Sequence, residues 1–322
     1  MRCGIKGSSI LITGGAGFIG SHLVDGLIDA GASEIIVIDN MFLGSKNNLN
    51  KAILNGIHLY SDDAEHDDAL QYIFNNHKID IVFNCATKAL NYSFLNPANA
   101  FTTNVQVIRN LLELQRKNAF GTLCHFSTSE VYGTAVYEPM DENHPINPTT
   151  TYAAGKAAAD LMLQSYVRMF NLDAFIVRPF NNYGPRQNYE GMMAGVIPRT
   201  IKKIINSETP EIHGTGLQTR DFIYVKDTID AILGVYNKLK PAESVNISTD
   251  GQISIKEVIE KISSYLGYRG EIIYKTARKA DVECHNASNQ KIKSLISYNL
   301  TNFDTGLRET IEWYKRIFKN QK

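Results

Sequence analysis

Thr13-Gly14-Gly15-Ala16-Gly17-Phe18-Ile19-Gly20-Ser21 follows at once on the apolar run Ile10-Leu11-Ile12, and this stretch decides the fold. Gly14, Gly17 and Gly20 stand three apart between a β-branched strand and an amphipathic helical pattern. In that setting the first glycine permits a tight turn, the second lets a pyrophosphate approach the backbone, and the third lets helix pack on strand. The helix N-terminus then offers unpaired N–H groups to the phosphates, with Phe18 and Ile19 in the same turn. An acid, Asp39, closes the next strand nineteen residues beyond Gly20. It can accept both ribose hydroxyls and its charge repels a 2′-phosphate, so the expected cofactor is NAD rather than NADP. Asn40 beside it, and Asp62 and Asp63 after a third strand, are further candidate cofactor contacts.

Outward from this stretch, short β-branched runs alternate with helical patterns. Strands are expected at Ile10-Thr13, Ile35-Ile38, Ile81-Asn84, Leu123-Ser127 and Ala174-Arg178, and helices near 17–30, 66–76, 100–118 and 151–170. Parallel strands need such crossovers, so the reading is an α/β fold with a doubly wound parallel sheet, the Rossmann architecture. After Pro179 the chain turns rich in Asn, Gly, Pro and aromatic residues, with helices expected near 194–206, 226–239, 254–266 and 306–319. This predicts a cofactor domain over 1–179 and a smaller α/β substrate-binding C-terminal region over 180–221 and 251–322. The segment 222–250 is expected to rejoin the first sheet. No Gly/Ser linker separates the parts, so they should pack as one body with a cleft between them.

The 322 residues are 43% hydrophobic and 20% charged, enough for a full core, which excludes disorder. Lys plus Arg equals Asp plus Glu at 33 each, so no global field draws the chain to nucleic acid or an anionic membrane. An anionic ligand must be held by a local cluster of charge. No apolar run is long enough for a span or a leader. Cys3, Cys85, Cys124 and Cys284 lack disulfide or metal spacing, and read as reduced thiols of a cytoplasmic protein with no metal.

Tyr152 and Lys156 are four apart, so on a helix they project from one face. An ammonium beside a phenol favours the phenolate and makes a general base for a sugar hydroxyl. One strand upstream, Thr128-Ser129-Glu130 leaves the fourth expected strand at the carboxyl edge of the sheet, where open α/β folds place ligands. It brings hydroxyls and one carboxylate to the same cleft.

These residues, together with Asn104, Arg178 to Arg186 and Gly216 to Val225, resemble the extended short-chain dehydrogenase/reductases that act on nucleotide-linked sugars. The resemblance runs almost the whole length. It implies tightly held NAD, transient oxidation of a hexose at C4, and a UDP- or dTDP-linked sugar bound in the second region. Asn182 and Arg220 correspond to positions that hold the substrate diphosphate, and Arg186 lies in the same loop. Lys88, in a stretch where the family is usually apolar, is a further candidate substrate contact. The resemblance also implies a homodimer through a four-helix bundle, formed by helices 100–118 and 151–170 with residues such as Val105, Ile108, Leu111, Leu112, Leu161, Met162 and Tyr166.

Three reactions share the first oxidation, and residue 130 separates them. A 4,6-dehydratase needs a carboxylate to take the C5 proton and protonate the leaving 6-hydroxyl, which Glu130 can do, although many such enzymes carry an acid where this chain has Ser129. A 4-epimerase needs only room for the oxidised sugar to turn over, and is the alternative. A UDP-glucuronate decarboxylase also shows Thr-Ser-Glu but usually carries Arg-Lys-Pro-Asp where this chain has Cys284-His285-Asn286-Ala287. A non-catalytic NAD-binding subunit is the remaining reading, against which the intact Tyr152, Lys156, Thr128 and Glu130 stand.

Overall fold

Ile10 and Ile12 of β1 (Ser9–Thr13) enter one hydrophobic core while Leu11 between them enters another. The same alternation holds in β2 (Glu34–Ile38), β4 (Ile81–Asn84) and β6 (Asp173–Pro179), where Val37, Phe83 and Phe175 face the first core and Ile36, Val82 and Ile176 the second. A strand that must be apolar on both faces is one sandwiched between helix layers. The computed structural model describes residues 2–277 and 284–319; Met1, 278–283 and 320–322, which the expected domain ranges include, lie outside the described residues.

With β3 (His58–Tyr60), β5 (Thr122–Phe126) and β11 (Ser244–Ile247), these strands form one seven-stranded sheet in the order β11-β6-β5-β4-β1-β2-β3, parallel throughout. On its first face lie α1 (Phe18–Asp29), the short α2 (Asn50–Leu54) and α7 (Val225–Val235). Gly26 of α1 lets Ile229 of α7 come so close that a Cβ there would sit 2.8 Å from its Cγ2. On the other lie α3 (Asp67–Asn76), α4 (Pro97–Arg116) and α5 (Thr151–Phe170). Asn96 caps α4 ahead of Pro97, Thr150 caps α5 through the Ala153 N–H, and Asn171 ends α5 in the left-handed conformation at φ 54°. These residues satisfy the backbone groups that a helix end leaves unpaired.

The remaining chain builds a third core from α6 (Val196–Ile205), α8 (Ile255–Tyr265) and α10 (Phe303–Lys319), with Ile197, Ile201, Val258, Ile262, Leu307 and Tyr314 buried against one another. Three two-stranded ribbons complete it: β7 (Asn181–Tyr183) with β10 (Phe222–Tyr224), β9 (Thr219–Arg220) with β12 (Ile253–Ser254), and β8 (Glu211–His213) with β13 (Ile273–Lys275). A short α9 (Gln290–Leu295) lies beside β11. In the segment 222–250, β11 is the edge strand of the large sheet and α7 packs on its first face, whereas among the described residues Phe222–Tyr224 pairs with β7 and not with the large sheet, with Ile223 in the first core and Tyr224 in the third.

Candidate active site

The glycine turn is shaped by contacts that leave no room for side chains. Gly14 has φ +68°, and a Cβ there would lie 2.8 Å from the Ala86 Cα; a Cβ on Gly20 would lie 2.2 Å from the Gly14 carbonyl oxygen. Gly17 caps α1 with no side chain, so the first N–H groups of the helix face the cavity in front of it. Asp39, buried at the end of β2, accepts the Ala16 N–H on one carboxylate oxygen and the Met41 N–H on the other, both at 2.9 Å. Burial pushes this carboxyl up while the backbone donors pull it down. The Gly17 N–H also donates to this carboxylate, which leaves it room to accept a hydroxyl.

A cavity of about 430 Å³ opens over this turn. Gly14, Gly17, Phe18, Ile19 and Gly20 line it, and so do Asp39, Asn40 and Asp63. Asn40 is tied to Asp63 by a 2.6 Å hydrogen bond. Asp62 does not line the cavity; exposed to solvent, its carboxylate accepts the Asp63 N–H at 2.7 Å. The bare glycine cradle, the uncapped helix start and an acid with spare acceptor capacity fit a dinucleotide with free ribose hydroxyls, which is the form of NAD.

At the far end of the same cavity stand Thr128, Tyr152 and Lys156. Burial pushes the Tyr152 phenol up to about 12; hydrogen bonds with Thr128 and Thr87 work against this, and the charge of Glu130 adds to it. Lys156, also buried, is lowered to about 8 by desolvation, and its Nζ donates to the Phe126 carbonyl at 2.7 Å. Burial outweighs the hydrogen bonds at Tyr152, so the phenol stands above its ordinary value where the sequence reading expected Lys156 to lower it. Ser127 donates to Asp160, which takes a 3.0 Å ion pair from Arg178, and Arg178 donates to Tyr132. This buried network fixes the strand end from which Thr128 projects.

Glu130 faces a second cavity of about 330 Å³, which shares Asn182 with the first. Ser129 is buried and lines neither. Sequence reading missed the neighbour of Glu130: His285, fully buried, has Nδ1 3.8 Å from the Glu130 carboxylate and donates Nε2–H to the Gly133 carbonyl at 3.2 Å. Burial, reinforced by the charge of Arg220, lowers its pKa to about 3, so it is a neutral imidazole with its lone pair toward the acid.

Arg220 lines the second cavity and donates to the Thr219 carbonyl. Asn182 accepts the Thr228 hydroxyl proton at 2.7 Å and donates to the Phe180 carbonyl. Lys88 lines the first cavity instead, its ammonium 4.0 Å from Glu65 and 4.6 Å above the Phe42 ring. Arg186 is not in either: with φ +68° it turns back onto α1, where it pairs with Asp25 at 2.7 Å and donates to the Ser21 carbonyl. The cations the sequence reading missed are Arg199 and Lys203, one turn apart on α6, both paired to Glu211 on the cavity wall. Their i, i+4 spacing was the available signal.

The family model described as the NAD dependent epimerase/dehydratase family matches residues 10–248. The chain belongs to this family. A putative UDP-glucose 4-epimerase of Methanocaldococcus jannaschii is 35% identical, over 95% of this chain and 98% of its own length. A dTDP-D-glucose 4,6-dehydratase of Bos taurus is 32% identical, over 97% of this chain and 90% of its own. Among solved structures, the UDP-glucose 4-epimerase of Thermotoga maritima with UDP-glucose superposes with a TM-score of 0.91 at 31% identity, covering 96% of this chain and 99% of that one. The epimerase/dehydratase family is an extended branch of the short-chain dehydrogenase/reductases, and its cofactor is NAD. Among the described residues no helix is long and apolar enough to cross a membrane.

Proposed function

We propose that this protein is an NAD-dependent 4,6-dehydratase of a nucleoside-diphosphate hexose, UDP- or dTDP-linked. The observation that carries the reading is Glu130, a carboxylate on the wall of the second cavity, two residues after Thr128 of the first, with the lone pair of a neutral imidazole behind it. NAD supplies a reversible hydride acceptor beside Tyr152 and Lys156. Tyr152, oriented by Thr128, takes the proton of the sugar 4-hydroxyl. Oxidation at C4 acidifies the C5 hydrogen, Glu130 removes it, and the same carboxyl then protonates the departing 6-hydroxyl; the hydride held by the cofactor would return to C6 as C5 takes a proton from solvent, which restores NAD and gives the 4-keto-6-deoxy sugar nucleotide. Asn182 and Arg220, with Arg199 and Lys203 lining the same cavity beside Glu211, are assigned to the diphosphate, since in a chain without net charge a local excess of cations is what holds phosphate.

The 4-epimerase reading is favoured by a different observation, the near-complete superposition on the Thermotoga maritima enzyme. It leaves Glu130 without a task. Incubation with dTDP-glucose, UDP-glucose, UDP-GlcNAc and UDP-glucuronate in deuterated water, with products read by mass and NMR, separates the two. Loss of water with deuterium at C5 is expected. An unchanged mass with inverted C4 would replace this reading by the epimerase, loss of carbon dioxide would make the chain a decarboxylase, and no turnover with NAD bound would make it a binding subunit.

The cofactor is assigned to 1–179 with the rejoining segment, and the sugar nucleotide to 180–221 and 251–322. A homodimer through α4 and α5 is part of the proposal. Of the side chains expected in that bundle, Ile108, Leu111 and Leu112 are buried within the chain, whereas Leu161 is exposed together with Phe101, Met169 and Phe170, which supports a second copy on this face. Four unpaired cysteines suit the cytoplasm.

A further inference from the structure

At the amino-terminal edge of the large sheet, Glu34 at the start of β2, His58 at the start of β3 and His77 just after α3 bring one carboxylate and two imidazoles together. Glu34 Oε1 lies 2.7 Å from His77 Nδ1 and 3.4 Å from His58 Nε2, and all three atoms lie within 4.8 Å of one another. The edge of a tetrahedron of zinc ligands is about 3.3 Å, from metal–nitrogen distances of about 2.0–2.1 Å. The surroundings are those of a ligand set: Ser9 donates to the other Glu34 oxygen at 2.6 Å, and His77 Nε2 meets the Tyr60 hydroxyl at 2.7 Å. A metal-bound histidine characteristically donates its second ring N–H to an oxygen, which fixes the tautomer.

We propose that Glu34, His58 and His77 form a Zn(II) site of the His₂Glu type, with water in the fourth position. Two imidazoles exclude magnesium and calcium, which take oxygen donors, and suit zinc. His58 is half exposed while His77 is almost covered, so the ion enters past His58 onto a fixed His77–Glu34 pair. On binding, the proton that His77 Nδ1 shares with Glu34 is replaced by the metal and the ring carries its proton on Nε2, donated to the Tyr60 oxygen. Sequence expectation held no metal because it followed cysteine spacing; these ligands lie 24 and 19 residues apart on separate elements and meet only through the β2–β3 pairing and the return of α3. Asp39 lies five positions beyond Glu34, about 16 Å along the strand direction. The ion therefore clasps the edge of the sheet and stays out of the cofactor cavity.

The test uses the full chain, stripped with EDTA and dialysed, titrated with Zn(II) alone against a chromophoric chelator. One site is expected, weakened about tenfold or more in His58→Ala and further in the His58→Ala/His77→Ala double variant. Zn(II) should raise the thermal midpoint of the parent and leave that of His58→Ala unmoved. Because His58 is half exposed, its variant keeps the fold, checked by circular dichroism in EDTA. Equal zinc affinity in parent and variants, or an equal thermal shift, would overturn the proposal by placing any bound zinc elsewhere.

Discussion

At the scale of single residues, Tyr152 and Glu130 divide the chemistry and their surroundings explain how. Burial pushes the Tyr152 phenol up to about 12, so taking a proton from a hydroxyl requires it as the phenolate, which the positive charge of bound NAD and of Lys156 would favour, while Thr128 fixes the direction of transfer. Tyr152→Phe keeps the shape and removes the acceptor. It is expected to lower kcat by about 10²–10⁴-fold, the range for losing a positioned general base, and to leave sugar-nucleotide affinity within about threefold; steady-state kinetics and calorimetry check both. Tyr152, Lys156 and Glu130 were legible because each sits in a local pattern tied to a helix face or strand end. His285 was not, since it reaches Glu130 from 155 positions later in the chain. Nor was the destination of Arg186, whose positive φ sends it to Asp25 although its neighbours in sequence line the cleft.

At the scale of elements, two close approaches of backbone set the site. The turn between β1 and α1 needs Gly20, whose added Cβ would lie 2.2 Å from the Gly14 carbonyl oxygen. Gly20→Ala should weaken NAD binding by more than about tenfold, measured by calorimetry, because the turn must open and carry the α1 N-terminus off the pyrophosphate. The second approach is between α4 and α5, where a Cβ on Gly155 would lie 2.7 Å from the Phe101 carbonyl oxygen. Gly155→Val should cost about 1–3 kcal/mol in urea unfolding by forcing the helices apart, and should also slow turnover because Tyr152 and Lys156 ride on α5. The long strands and helices were readable from β-branched runs alternating with stretches of helical period. Short pieces such as α2, α9 and the ribbon strands carry too few residues to show a period, and Phe222–Tyr224 looked like a sheet strand because its apolar residues do not reveal which core takes them.

At the scale of the whole molecule, buried ionisable groups make stability depend on pH. His285 is neutral in the fold with its pKa at about 3, against an ordinary value of 6.5 once unfolded, so the unfolded chain binds more protons below 6.5 and stability falls as pH drops from there toward 3. Asp221 acts in the opposite sense: desolvation raises it from 3.8 to about 6, so acidification across that window favours the fold. The contrast between parent and His285→Asn isolates the first effect. From pH 7 to pH 5 the parent should lose about 2 kcal/mol more than the variant, read from urea midpoints. The same architecture, a cofactor cavity lined by Tyr152 and a second cavity lined by Glu130 that share Asn182, underlies the proposed chemistry, and one variant tests it most directly. Glu130→Gln, mixed with the sugar nucleotide that the wild type turns over and quenched for mass spectrometry, should accumulate the hexose two hydrogens lighter, oxidised at C4, without loss of water. Dehydration at the wild-type rate in that variant would contradict the account.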